Sequence, residues 1–141
     1  MKIAVIGAGN GGLAMAAHMV IKGYDVSLYD KFPETLVDLK KAKGISLKGV
    51  VGKGFAPISL ITTDISEAIK DRELIMVVTP AFAHRSVAQD LAPTLDSSQI
   101  IILHPGRTGG ALEVRQVIKE NRPEIEPIVA EAQTLLYASR R

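Results

Sequence analysis

Apolar residues in this chain fall into short continuous runs, and nearly every run stops at glycine, proline or an acid. Residues 3–6, 74–78, 100–103 and 128–130 are apolar without alternation. Such runs suit parallel strands covered on both faces. Another run, 25–30, ends on Asp30. Between the runs the spacing predicts helices over 13–22, 33–43, 66–70, 81–91 and 111–120. The stop signals agree with these bounds. Gly23 fits a left-handed helix end, Pro33 a first helical turn, and Pro93 a position beyond a helix. Asp64 and Ser66 are each suited to cap the short helix. From 44 to 64 the pattern changes to period two, with Gly49, Gly52 and Gly54 at turns. That predicts a small antiparallel hairpin and then a strand near 60–62.

The reading is β–α–β, an excursion, then β–α–β–α–β. It describes an α/β fold in three layers: a doubly wound parallel sheet with a hairpin excursion. The main strands are expected in the order 3-2-1-4-5-6 with right-handed crossovers. A length of 141 residues suits one domain.

The first loop carries the strongest chemical signal. Gly7-Ala8-Gly9-Asn10-Gly11-Gly12 follows a strand and opens a helix. This is the G-x-G-x-x-G turn of dinucleotide-binding (Rossmann) units, here in its proper context. Gly7 permits the sharp turn, Gly9 admits a diphosphate to the backbone, and Gly12 allows close helix packing. The helix N-terminus carries roughly half a positive charge, which favours an anion there. Asp30 ends the second strand about 20 residues on, where a carboxylate accepts hydrogen bonds from a ribose. It argues for NAD by repelling a 2′-phosphate; Lys31 beside it leaves NADP as the second choice. In a doubly wound sheet the fourth strand lies beside the first, so Thr79, Pro80 and Ala81 should border the cofactor. His104 ends the fifth strand on the same edge and is a candidate for the nicotinamide end. His84 is a weaker candidate for that region. His18 reads as a packed or solvated helix residue.

Composition adds exclusions. The chain is 47% hydrophobic with a net charge of +2, and its basic residues are dispersed. Nothing there points to nucleic acid or an anionic membrane. There is no cysteine, so disulfides and thiolate catalysis are excluded. No His, Asp and Glu set has metal-ligand spacing, and no histidine has a triad partner nearby. The glycine cluster breaks the one N-terminal run that resembles a signal peptide. A cytoplasmic protein is expected.

A second turn is more specific than the first. Pro105-Gly106-Arg107-Thr108-Gly109-Gly110-Ala111-Leu112-Glu113, with the glycine cluster, the hairpin, Thr79-Pro80-Ala81 with His84, and the stretch 131–140, resembles the opine dehydrogenases of the octopine and nopaline type. The resemblance runs along nearly all of the chain. It implies reductive condensation of an α-keto acid with an amino acid, in which NAD(P)H reduces an imine. Arg107, in a glycine-rich turn, is a candidate to bind a substrate carboxylate or a phosphate, or else stabilises its own turn; the resemblance implies Glu131, Gln133 and Thr134 facing the cleft between domains, with Thr134 as a substrate-binding residue. It also implies a helical C-terminal domain, supplying a catalytic His and Asp, that lies outside 1–141. Residues 1–141 are then the dinucleotide-binding domain, not active alone, and none of them is assigned as catalytic. Ser139 stands where relatives often carry Cys. The alternatives are a glycerol-3-phosphate or ketopantoate reductase type, against which the Pro-Gly-Arg-Thr-Gly-Gly turn speaks, and a stand-alone nucleotide-binding module. In the last case Leu135, Leu136 and Tyr137 would be exposed or buried in a homodimer.

Overall fold

The structure, a computed structural model, describes residues 1–140. Its elements are β1 (Lys2–Ile6), α1 (Asn10–Ile21), β2 (Asp25–Tyr29), α2 (Pro33–Ala42), β3 (Gly44–Gly49), β4 (Gly52–Pro57), β5 (Leu60–Thr62), α3 (Ile65–Ile69), β6 (Leu74–Val77), α4 (His84–Leu91), β7 (Ile100–Leu103), α5 (Gly110–Asn121) and β8 (Ile128–Glu131). The six-stranded sheet runs β5-β2-β1-β6-β7-β8, and the hairpin β3-β4 stands apart from it. With the hairpin set aside, this is the 3-2-1-4-5-6 order. Each neighbouring pair in the large sheet is parallel, and the hairpin is antiparallel.

The uninterrupted apolar runs are explained by two cores, one on each face of the sheet. Ala4, Ile6, Ile75, Val77, Ile101 and Leu103 pack against α3, α4 and α5. Ile3, Val5, Val26 and Leu28 pack against α1, α2 and the hairpin. Ala14, Ala16 and Ala17 are buried, so α1 lies close to the strands. Ile45 and Ala56 bring the hairpin into that second core, which is why the excursion does not hang free.

The local signals hold with small shifts. The Gly23 amide donates to the Val20 carbonyl at 2.8 Å, with φ at +90°. Asp64 caps α3, its Oδ1 accepting from the amides of Ser66 at 2.9 Å and Glu67 at 3.3 Å; Ser66 therefore lies inside the helix. The helix expected over 81–91 begins instead with a 3-10 turn, Ala81–Ala83, because α4 starts only at His84. Two buried polar side chains tie the elements together. The Ser27 hydroxyl donates to the Ala68 carbonyl at 2.6 Å, and the Gln99 amide donates to the carbonyls of Ile69 and Arg72, both at 2.7 Å.

Neighbouring β1 and β6 lead to connections on opposite faces. Their carboxyl ends therefore open a crevice, the usual ligand position in such sheets.

Candidate dinucleotide-binding crevice

The glycines after β1 are there for separate reasons. Gly7 has φ at +105°, and a Cβ on it would lie 2.7 Å from the Val78 carbonyl oxygen and 3.0 Å from Thr79 Cγ2. The turns after β1 and β6 therefore touch across the crevice. A Cβ on Gly12 would collide with the Gly7 carbonyl oxygen; the helix closes back on its own turn. A Cβ on Gly11 would lie 2.7 Å from Leu135 Cδ2, so this glycine makes room for the chain's own tail. Gly9 differs from all three: nothing lies within 4 Å of where its Cβ would be. It is also the N-cap of α1, with no side-chain cap and no acidic residue in the first turn. An open approach, a bare helix terminus and no competing carboxylate are what a diphosphate needs.

Asp30 follows β2, half-buried, and faces this turn. Its Oδ2 accepts from the Ala8 amide at 2.7 Å and its Oδ1 from the Phe32 amide at 3.0 Å. A carboxylate has about four acceptor positions, so two hydrogen bonds leave capacity for sugar hydroxyls while fixing the carboxylate. Lys31 beside it is exposed.

On the other side of the crevice Thr79 is half-buried, and Pro80 and Ala81 are exposed. The Thr79 hydroxyl, His84 Nε2 and both ring nitrogens of His104 are buried without a hydrogen-bond partner. His84 is 1% exposed and His104 7%. The 104 amide donates to the Val77 carbonyl at 2.8 Å, which sets His104 level with the residue after β6. Unsatisfied buried polar groups are uncommon and each costs about 1–3 kcal/mol; Arg72 Nε is one at the far end of the strands, and the other four atoms lie at the sheet edge where a ligand is expected. Arg107 is exposed in the next turn with φ at +56°, and Thr134 is exposed beyond β8.

Burial holds the His84 imidazole below its ordinary value of 6.5, against smaller opposing pulls from the Thr79 backbone, Glu113 and Glu131. Burial also lowers His104. Between the folded values and 6.5 the unfolded chain binds more protons than the folded one, so stability rises with pH there. It is complete above 6.5 and is lost as pH falls below it. A melting series from about pH 7.5 to 5.5 is expected to show that fall, and His104→Asn should flatten it. A profile level through this range removes the buried neutral rings as its cause.

The tail was not legible in advance. After β8 it runs back along α1, between His18 and Asn10. Tyr137 Oη lies 2.7 Å from His18 Nδ1, with the rings edge-on, and Ser139 donates to the Asn10 carbonyl at 2.9 Å. Leu135 and Tyr137 are partly buried within the chain itself, and Leu136 is 65% exposed. His18 thus has a packing role. A cavity of about 410 Å³ lies between this tail, α1 and the hairpin tip, touching Asn10, Leu13, Leu47, Lys48 and Tyr137. It includes neither Asp30 nor the turns at 79–81 and 104–107, and it meets the glycine turn at Asn10. Among the described residues no group of three or more His, Asp or Glu is placed to hold a metal ion. No helix there is long and apolar enough to cross a membrane.

The family model for the N-terminus of NAD-dependent glycerol-3-phosphate dehydrogenase matches residues 2–130. The chain belongs to this family. The family is described as NAD-dependent, and the chain is an NAD-binding domain of the opine-dehydrogenase-like kind. Opine dehydrogenase from Arthrobacter sp. (strain 1C) is 38% identical over 138 residues, covering 97% of this chain and 38% of that protein. Glycerol-3-phosphate dehydrogenase [NAD(P)+] from Thioalkalivibrio sulfidiphilus (strain HL-EbGR7) is 30% identical over 100 residues, covering 71% of this chain and 30% of that one. Octopine dehydrogenase solved with NADH and L-arginine superposes with a TM-score of 0.83 at 22% identity, over 98% of this chain and 36% of that one. That likeness establishes the shared fold. The chain spans less than two fifths of the length of each of these relatives.

Proposed function

We propose that the crevice holds NAD(H) with its diphosphate on Gly9, Asn10, Gly11 and Gly12 and its adenosine ribose on Asp30. The turn at Gly7 shapes the cradle. Thr79, Pro80, Ala81 and His104 border the nicotinamide half. Arg107 and Thr134 face the substrate side, where a guanidinium can pair with a carboxylate in bidentate fashion. When bound, the dinucleotide supplies a hydride; the residues here bind and orient it. The observation that carries this reading is the empty space over Gly9 beside an uncapped helix terminus and a fixed Asp30.

We infer further that the reaction served is reduction of an imine formed from an α-keto acid and an amino acid, and that it requires residues beyond these 141. The 38% identity to an opine dehydrogenase along 97% of the chain supports the first part. The second is supported by the fraction of that relative covered, and by His84 Nε2 and both ring nitrogens of His104, which are buried without a hydrogen-bond partner among the described residues. The family model favours a second reading, reduction of a phosphorylated ketone.

Titration of the chain with NADH and NADPH, followed by assay with pyruvate and a panel of amino acids, tests both parts. Repulsion between Asp30 and a 2′-phosphate is about 1 kcal/mol in water and more where partly buried. NADH is therefore expected to bind about tenfold more tightly than NADPH. Asp30→Asn, which keeps an acceptor for the Ala8 amide, should bring the two toward parity. Tighter NADPH binding reverses the preference. Steady NADH oxidation with pyruvate and an amino acid by these residues alone contradicts the need for others. In a longer form, turnover with dihydroxyacetone phosphate instead selects the second reading.

A further inference from the structure

The chain has two glycine-rich turns that each open a 12-residue helix, α1 after β1 and α5 after β7. Each helix begins on a glycine, Gly9 or Gly109, that offers no side-chain cap. By backbone alone both termini favour an anion. They differ in what stands there. Around Gly9 the protein leaves open space. At α5, Glu131 from the end of β8 places Oε2 2.7 Å from the Ala111 amide, which donates to it.

The second turn is shaped around that carboxylate. A Cβ on Gly106 would lie 2.7 Å from the same oxygen and would overlap the Glu131 stem. One on Gly110 would lie 3.1 Å from Leu103 Cδ1 and 3.2 Å from Nδ1 of the buried His84, with Oε2 in ordinary contact at 3.4 Å. Backbone bonds hold Glu131 in register: the Gly106 amide donates to the Ala132 carbonyl at 3.0 Å, and the Ala132 amide to the Leu103 carbonyl at 2.9 Å. Gly106 is thus accounted for by the space Glu131 occupies, and Gly110 by Leu103 and His84. Glu131 is exposed at the end of β8, with its carboxylate on the first turn of α5.

We propose that Glu131 is the resident anion of the second turn. It fixes residues 105–110, and Arg107 with them, and it closes the α5 terminus to phosphate, leaving α1 alone for a diphosphate. It is a positioning residue. The inference goes beyond the dinucleotide reading and stands on the geometry of α5 alone.

The test compares the chain with its Glu131→Ala and Glu131→Gln variants. Removing the carboxylate strips Ala111 of its acceptor and leaves space for a small anion. Glu131→Ala is expected to melt about 3–6 °C lower, with most of the loss restored by formate. Inorganic phosphate should stabilise this variant more than the wild type. Glu131→Gln keeps an acceptor oxygen, so it should lose less and not respond to formate. NADH affinity should be unchanged throughout. If Glu131→Ala does not fold in plain buffer, its recovery on refolding with formate reads the same property. Equal responses of wild type and Glu131→Ala to formate and phosphate overturn the proposal, as does an unchanged melt. If the wild type fails to bind NADH, the dinucleotide reading falls, while the formate comparison still decides the role of Glu131.

Discussion

Gly9→Ala is expected to weaken NADH binding by about a hundredfold, near 2.7 kcal/mol, without loss of stability. Gly9 has φ at −69° and ψ at −179°, extended backbone that any residue adopts. The new methyl group meets no protein atom within 4 Å. The folded state therefore gains no strain, and the unfolded chain loses some freedom, which favours folding by about 0.4–1 kcal/mol where no strain arises. What the methyl fills is the space through which a diphosphate would reach the α1 amides. Fluorescence titration with NADH and a thermal melt read the two effects separately. An affinity equal to the wild type would mean that the diphosphate lies elsewhere.

Gly12→Ala should do the reverse, and more severely. Its Cβ would collide with the carbonyl oxygen of Gly7, a backbone atom held by the Gly7 amide donating to the Tyr29 carbonyl at 2.8 Å. Neither side can yield by rotating a side chain. Overpacking typically costs about 1–3 kcal/mol and more where the backbone must move, so a loss of about 3 kcal/mol or greater is expected. NADH affinity should fall with it, because the cradle and its helix shift together. Urea unfolding measures the loss; a midpoint within error of the wild type would show that the turn is looser than its geometry indicates. Together the two variants separate a glycine that admits a ligand from one that closes a turn.

The sheet order was legible because its signals are local. Unalternating runs mark covered strands, and Gly23, Pro33 and Asp64 mark ends whose chemistry depends on residues a few positions away. The hairpin was legible from period-two spacing with glycine punctuation. The crevice was only half legible. A spacing rule locates Gly9 and Asp30, but not that Asp30 also binds the Ala8 amide 22 residues back. Gly11 looks like its neighbours in sequence, yet it is there for Leu135, which no window could pair with it. The contact of Tyr137 with His18 spans 119 residues. Glu131 followed a strand like any cleft residue; only β7–β8 pairing brings it to α5.

The return of the tail to α1 has a practical use. Ser139 lies against Asn10, whereas Met1 lies 3.9 Å from Glu73, just ahead of β6 and across the sheet from the crevice. The chain has no native thiol. A single cysteine at 139 can carry a dye beside the Gly9 turn, and one in place of the exposed Lys2 can carry the same dye as its distant reference.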